Sequence, residues 1–203
     1  MVAFSETSNR IVRKSTVDFL CDRVLDLIEE KPFYRIKVKE LCTYAGISRS
    51  TFYAHFDSVF DVVQKVEDDF LERFYPEQSA IDVLVEGDME SALGQIEFVR
   101  ENSRVITALL GPNGDSYFSV RLVRAIEEKC ERAWAKTAST IPRKRKDALA
   151  AYIAGGTLGI TRYLALHVDD YDERTLRELA RPVMAANREL LGTHSPDQAN
   201  RAL

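Results

Sequence analysis

The sequence predicts an all-α protein of about nine helices. Apolar residues recur at three- and four-residue steps along most of the 203 residues, which is the spacing of one face of a helix. No segment shows the apolar and polar alternation of a strand, and breakers such as Gly-Pro-Asn-Gly at 111–114 separate the helices. With 45% hydrophobic residues, the chain can bury one large core or two modest ones. We expect an N-terminal head of residues 10–74 and a second helical domain of residues 75–203.

Apolar stripes predict the first and fourth helices. The first stripe ends near Lys31 and Pro32, and Phe33 and Ile36 then lead into a second helix. Ser58 is suited to cap the fourth helix. The stripes consist of Val17, Leu20, Cys21, Val24, Leu27 and Ile28 in the first helix, and Val59, Val62, Val63, Val66 and Phe70 in the fourth.

The segment 45–56, Ala-Gly-Ile-Ser-Arg-Ser-Thr-Phe-Tyr-Ala-His-Phe, predicts a tight turn followed by a short third helix. Gly46 suits a positive φ in the turn, and Ser48 suits an N-cap that accepts an amide near Thr51. Phe52 and Phe56 are four residues apart, so we expect both to pack inward. The opposite face is polar. Any solvated short helix carries such a face, so residue types alone do not assign it a role.

The order of these residues is more specific than their types. Together with Pro-Phe-Tyr-Arg-Ile-Lys-Val-Lys-Glu-Leu at 32–41, it resembles the signature of TetR-family transcriptional regulators. The resemblance implies a cytoplasmic homodimeric repressor that puts its third helix into the major groove of a palindromic operator in double-stranded DNA. Such a repressor is released by a small-molecule effector. The resemblance also implies DNA contacts by Lys37, Lys39, Ser48, Arg49, Ser50, Thr51, Tyr53 and His55.

Two positions depart from the family's pattern. Lys37 stands where the family usually has threonine, so the second helix loses a side-chain cap but keeps a cation for the phosphates. Val59 stands where the family commonly has lysine, which removes one expected phosphate contact.

The charge distribution is compatible with a basic head on an acidic body. Residues 1–56 carry nine Lys and Arg against seven Asp and Glu, a net charge of +2. The rest of the chain carries −6, which gives the whole chain its net charge of −4. Arg10, Arg13 and Lys14 form a basic arm. The arm is either a solvated tail or, by analogy with the arms of other helical heads, a minor-groove contact.

Five further helices are predicted beyond residue 88. They begin near 89, 105, 118, 148 and 170–172, with a basic linker at 142–146, Pro182 inside the ninth helix and Gly192 as its stop. The runs at 109–118 and 151–160 resemble C-terminal domains of the TetR branch that includes a dihydroxyacetone-kinase regulator. That branch implies a second possibility, a co-activator or regulator acting through a protein partner docked on the C-terminal domain.

The eighth helix carries three glycines within five residues. Each glycine costs roughly 1 kcal/mol relative to alanine inside a helix, so a close approach is expected to compensate. The approach is either packing within the chain or, as the family implies, a dimer interface formed by the last two helices. The interface candidates are Tyr152, Gly155, Gly156, Gly159, Ile160 and Tyr163.

An effector pocket is implied only by the family, between the fifth to eighth helices. Phe98, Phe118 and Trp134 are candidate lining residues, although aromatics at helical spacing are more often core.

Other functions find no support in the sequence. Cys21, Cys42 and Cys130 are widely spaced, and no His, Cys and carboxylate cluster has metal-ligand spacing. Phosphate loops and nucleophile elbows are absent, so we expect neither an enzyme nor a metal or other cofactor. We expect no membrane span, because no apolar run approaches 20 residues. We also expect no secretory signal, because the N-terminus lacks a basic start followed by an apolar stretch.

Overall fold

The computed structural model describes residues 15–74, 76, 83, 87–136, 142–167 and 170–191. Its regular structure is helical, which confirms the all-α prediction. The basic arm at residues 10–14 lies outside the described residues. The described helices are α1 (Thr16–Glu30), a 3-10 helix (Phe33–Arg35), α2 (Val38–Ala45), α3 (Arg49–Tyr53), α4 (Val59–Arg73), α5 (Met89–Glu101), α6 (Ser103–Leu110), α7 (Phe118–Lys136), α8 (Arg143–Leu166) and α9 (Glu173–Leu191).

Side-chain caps fix where several of these helices begin. Ser58 accepts the amide of Asp61, whose carboxylate accepts the amide of Ser58 at 2.8 Å, so the predicted cap of α4 is a full capping box. Ser15 and Asp18 form the same arrangement on α1. Asp172, one of the two residues predicted to cap the ninth helix, accepts the Thr175 amide at 2.8 Å.

Residues 143–146, predicted as a linker, are the first turn of α8 instead. Pro142 precedes the helix with φ of −57°. Proline is well suited to a helix start because its missing N–H has no partner there, and the Lys and Arg that follow have good helix propensity. α9 continues through Pro182, as predicted.

The head is built from α1, the 3-10 helix, α2 and α3 around one apolar centre. Leu20, Val24 and Ile28 of α1 are fully buried together with Leu41 of α2 and Phe52 of α3. α1 also packs against α4, so α4 completes the head.

α4 joins the head to the second half of the chain through an aromatic cluster. The Phe70 ring centroid lies 5.1 Å from that of Phe74, 5.7 Å from that of Phe98 and 5.9 Å from that of Phe118. Because such pairs stabilise by about 0.5–1.5 kcal/mol beyond the area they bury, this cluster ties α4 to α5 and α7. The buried residues of both halves belong to one continuous cluster.

α8 is the central helix of the C-terminal half, packing against α5, α6, α7 and α9. It is the one helix in the described part of the chain that is long and apolar enough to span a membrane. This departs from the expectation that no segment approaches that length. Contacts with four neighbouring helices account for the buried part of α8, and the rest of its apolar surface is exposed in the single chain.

Candidate nucleic-acid interface and C-terminal cavity

The turn between α2 and α3 depends on the backbone of Gly46. Its φ of 66° and ψ of 29° are left-handed, and its amide donates to the carbonyls of Cys42 and Thr43. No atom lies within 4 Å of a Cβ built at this position. Glycine is therefore favoured here by conformation rather than by lack of space, as the sequence predicted.

Ser48 caps α3 as predicted. Its Oγ accepts the amide of Thr51 at 3.0 Å and lies 2.7 Å from Ser50 Oγ and 2.8 Å from Thr51 Oγ1. Three hydroxyls therefore gather at the beginning of α3.

Two phenylalanines hold α3 against the head. Phe52 is fully buried, and half-buried Phe56 packs beside it with 6.1 Å between ring centroids. α3 itself has only five residues, but the Phe56 amide still donates to the Phe52 carbonyl at 3.0 Å. The predicted inward face is confirmed, and His55 lies in the turn that follows α3.

All eight residues predicted to contact DNA are exposed. They lie on the surface formed by the start of α2, by α3 and by the turn after it. Their contact with DNA stays a prediction. The residues are Lys37, Lys39, Ser48, Arg49, Ser50, Thr51, Tyr53 and His55.

The two departures from the family's pattern have clear structural consequences. Lys37 precedes α2 without making a side-chain cap. Val59 is 7% exposed and belongs to the core, so α4 begins by packing rather than by presenting a cation. An ion pair between Lys31 and Glu40 lowers the pKa of Glu40 and neutralises one further cation of the head.

Sequence reasoning missed Tyr44 on α2. Its ring is half exposed and shares a surface depression with Lys37 and Lys39, and the Arg23 guanidinium lies 5.9 Å from its centroid. Glu30 and Glu40 line the same depression, and no spacing in the sequence singled out Tyr44.

The six predicted interface residues of α8 lie on an exposed face. Tyr152 is 62% exposed, and a Cβ built at any of the three glycines of α8 would meet no atom within 4 Å. Packing within the described chain therefore does not account for these glycines. We call the following set the α8–α9 face: Tyr152, Gly155, Gly156, Gly159, Ile160, Tyr163, Leu166, Leu179 and Val183.

A cavity of about 170 Å³ lies between α5, α8 and α9. Among the described residues its lining is uncharged and mostly apolar, the exceptions being Gln95, Thr157 and Thr161. Gln95 Oε1 is buried without a hydrogen-bond partner. Ile160 and two α9 residues of the α8–α9 face also line the cavity, which therefore reaches that face.

The three aromatic residues proposed for a pocket lie elsewhere. Phe118 and Trp134 are buried in the core, and Phe98 packs at a tilt against Phe70 and Phe74 in the aromatic cluster. None of the three lines the cavity.

Charged side chains join the two halves of the chain. Arg104 of α6 binds Asp26 and Glu29 of α1, and Arg121 of α7 binds Glu67 and Asp68 of α4. Glu67 is 2% exposed. Burial, opposed by Arg121, raises its pKa to about 7.

The cysteines are free thiols. Burial raises the pKa of Cys21 and of Cys130 to about 12, so neither thiol ionises near neutral pH. Within the described ranges, no group of three or more His, Cys, Asp or Glu is placed to hold a metal ion.

Comparison with known proteins gives a consistent picture. Residues 22–59 match the family model described as bacterial regulatory proteins, tetR family. Residues 89–176 match the model of a transcriptional regulator C-terminal region. No curated protein matches the sequence significantly.

Solved structures share the fold at low sequence identity. The dihydroxyacetone kinase operon activator DhaS aligns with a TM-score of 0.60 and 15% identity, covering 87% of this chain and 96% of that chain. NalD, the secondary repressor of the MexAB-OprM multidrug efflux pump in Pseudomonas aeruginosa, aligns with a TM-score of 0.61 and 16% identity, covering 84% and 94%. The fatty acid degradation regulator FadR from Bacillus halodurans aligns with a TM-score of 0.56 and 14% identity, covering 86% and 96%. The chain therefore belongs to the TetR family of DNA-binding transcriptional regulators, which are not enzymes.

Proposed function

We propose that the protein is a cytoplasmic homodimeric repressor that binds a palindromic operator and releases it when a small-molecule effector binds. The observation that carries this proposal is the exposed polar face of α3, held by the Gly46 turn, the Ser48 cap and buried Phe52. Residues 10–74 form the DNA-binding domain in this proposal, and residues 75–203 form the effector-binding and dimerisation domain.

Each head puts α3 into a major groove. Arg49 and Tyr53 then face base edges or phosphates, and the hydroxyls of Ser50 and Thr51 donate to phosphate oxygens. The two heads of a dimer contact half-sites about 34–36 Å apart, or a multiple of that distance, along one face of the duplex.

Selection of bound fragments from random DNA tests this assignment and supplies the operator. Fluorescence anisotropy with that operator at increasing salt then measures the phosphate contacts. If the dimer neutralises about eight phosphates, the logarithm of affinity falls with the logarithm of salt with a slope of about −7. No enriched site, or affinity independent of salt, contradicts direct DNA binding.

We assign the dimer interface to the α8–α9 face. Three glycines without a packing partner in the described chain and exposed Tyr152, Leu166 and Val183 support this assignment. A two-fold pairing of α8 and α9 with their copies covers these apolar side chains and lets two helix backbones approach closely. Sedimentation at micromolar concentration distinguishes a dimer from a monomer.

The effector in this proposal is a neutral, mostly apolar molecule with one hydrogen-bonding group. A charged ligand finds no counter-charge among the described lining residues, and burying an unpaired charge is costly. Gln95 offers an amide whose buried oxygen has no partner. Because the cavity reaches the α8–α9 face, occupancy changes the dimer geometry, and a coupling of about 1–3 kcal/mol changes operator affinity by about 5- to 150-fold.

Thermal unfolding with octanamide and octanoate at pH 8 tests this chemistry. The two probes have nearly the same shape but differ in charge. Octanamide at about 100 times its Kd raises the free energy of unfolding by about 2.7 kcal/mol, whereas octanoate changes it little. Gln95→Leu reduces the octanamide shift. An equal or larger shift with octanoate contradicts a neutral effector at this cavity.

A second candidate is a co-activator whose C-terminal domain docks on a protein partner. The structural similarity to an operon activator over 87% of this chain favours retaining it. A partner that co-purifies in fixed stoichiometry through the α8–α9 face, with no homodimer formed, distinguishes this function from the repressor.

A further inference from the structure

The loop at 111–114 between α6 and α7 reaches from the C-terminal half into the head. Asn113 Nδ2 donates to the Ile28 carbonyl at 2.9 Å, and the Asn113 carbonyl accepts the Phe33 amide at 2.8 Å. Ile28 lies in the last turn of α1, where helix carbonyls lack partners within the helix. Asn113 therefore bonds both sides of the connection that leads from α1 to α2.

Two glycines allow the loop to take this shape. A Cβ at Gly111 would lie 2.3 Å from the Thr107 carbonyl oxygen, and one at Gly114 would lie 2.1 Å from the Leu109 carbonyl oxygen. Both distances are far below van der Waals contact, so other residues at either position would push the loop away from α6. The glycines hold the loop close to α6 and thereby fix the position of Asn113.

The helices on either side of the loop make further contacts with the head. Arg104 of α6 binds Glu29 at 2.8 Å, close to the Asn113 contact on α1. Arg121 of α7 binds two acidic residues of α4. The Arg104–Glu29 pair is exposed and contributes little, and the buried Arg121–Glu67 pair joins α7 to α4 rather than the loop to α1. The hydrogen bond from the Asn113 side chain to the Ile28 carbonyl is half-buried and directional. Asn113 is therefore the best-defined link between loop and head.

We propose that Asn113 is a positioning residue that sets the orientation of the DNA-binding head relative to the C-terminal half. This inference rests on the proposed DNA-binding function for its consequence but not for its geometry. α6 and α7 both pack against α8, and α8 lines the cavity through Thr157, Ile160 and Thr161. A shift of α8 therefore moves α6, α7 and the loop between them, and through Asn113 it moves the connection between α1 and α2.

Asn113→Ala tests the proposal by removing the side-chain bond to the Ile28 carbonyl while keeping the main-chain bond to the Phe33 amide, and Asn102→Ala is the matched control. Asn102 Nδ2 also donates to a half-buried carbonyl, that of Phe98 at 2.8 Å, but this bond stays within the C-terminal half. Hydrogen–deuterium exchange of both variants is compared with that of the unmodified protein. We expect faster exchange at residues 26–40 in Asn113→Ala only, with exchange in α7 and α8 unchanged. Unchanged exchange at 26–40, or an increase spread over the whole chain, overturns the positioning role.

DNA binding supplies the second readout. The selected palindromic fragment and a single half-site are titrated with each variant. Because head orientation matters only when two heads bind one duplex, Asn113→Ala weakens binding to the palindrome by about tenfold and leaves half-site binding unchanged. Equal losses on both fragments, or none on the palindrome, overturn the inference. If the unmodified protein binds neither fragment, the proposed function fails, and hydrogen exchange still decides the role of Asn113.

Discussion

Replacing Glu67 with glutamine is expected to remove most of the pH dependence that this side chain gives to stability. Glu67 lies almost fully buried on α4, facing Arg121 of α7, with Asp115 and Asp68 also near enough to disfavour its ionised form. Burial is the largest cause of its raised pKa, and the attraction of Arg121 only partly opposes it.

The sign of the effect follows from proton linkage. The pKa of Glu67 is about 7 in the folded protein against 4.5 ordinarily, so the folded state holds its proton more tightly than the unfolded chain. The stability that this provides is fully present below about pH 4.5 and is lost as pH rises through about 7. The difference in pKa corresponds to about 3 kcal/mol.

Urea unfolding followed by circular dichroism from pH 5 to pH 8 measures this effect. We expect the unmodified protein to lose stability relative to Glu67→Gln across this range, by an amount approaching 3 kcal/mol. Asp68→Asn is the matched control, because Asp68 binds the same Arg121 but is over half exposed. It should change stability by less than about 1 kcal/mol. Parallel pH profiles for Glu67→Gln and the unmodified protein would refute the reasoning.

Three further predictions concern the head and the α8–α9 face. Arg49→Ala should weaken operator binding by about 5- to 150-fold in anisotropy titrations and leave the dimer intact in sedimentation. Unchanged operator affinity would show that Arg49 makes no contact with DNA. Gly156→Leu should leave the fold unchanged but weaken the dimer at least about tenfold, whereas Gly94→Leu, at another exposed helical glycine with nothing within 4 Å, should not; equal dimerisation in sedimentation would contradict the assigned interface. Phe52→Ala should lower the free energy of unfolding by about 3–5 kcal/mol in urea titrations, and a loss below 1 kcal/mol would show that Phe52 does not anchor α3.

The parts of the fold that depend on neighbouring residues in sequence were predictable. Gly46, Ser48 and Ser58 act through hydrogen bonds or dihedral angles within a few residues, and the structure places each as predicted. The spacing of apolar residues likewise predicted the buried face of each helix, because residues three and four apart lie on one face. The extra turn at the start of α8 was missed because a run of four cations looks like a linker, although its residues favour helix.

Contacts between distant segments were not predictable in the same way. Phe98 and Phe118 were considered as pocket residues, but both pack against Phe70 of α4. An aromatic stripe specifies that a face is buried without specifying against which helix. The same limit applies to Glu67, whose position among apolar residues of α4 gave no indication of Arg121 as its partner.

The glycines of α8 show how sequence and structure together support a conclusion that neither supports alone. Three glycines make a helix less stable than three alanines by about 3 kcal/mol, which is evident from the sequence alone. Packing within the chain would offset that cost, but in the described structure no atom approaches a Cβ at Gly155, Gly156 or Gly159. Exposed apolar residues surround them, and Ile160 both belongs to this face and lines the cavity. These observations support the proposed dimer, in which the compensating contact is with a second copy of the chain and Ile160 lies between that contact and the cavity.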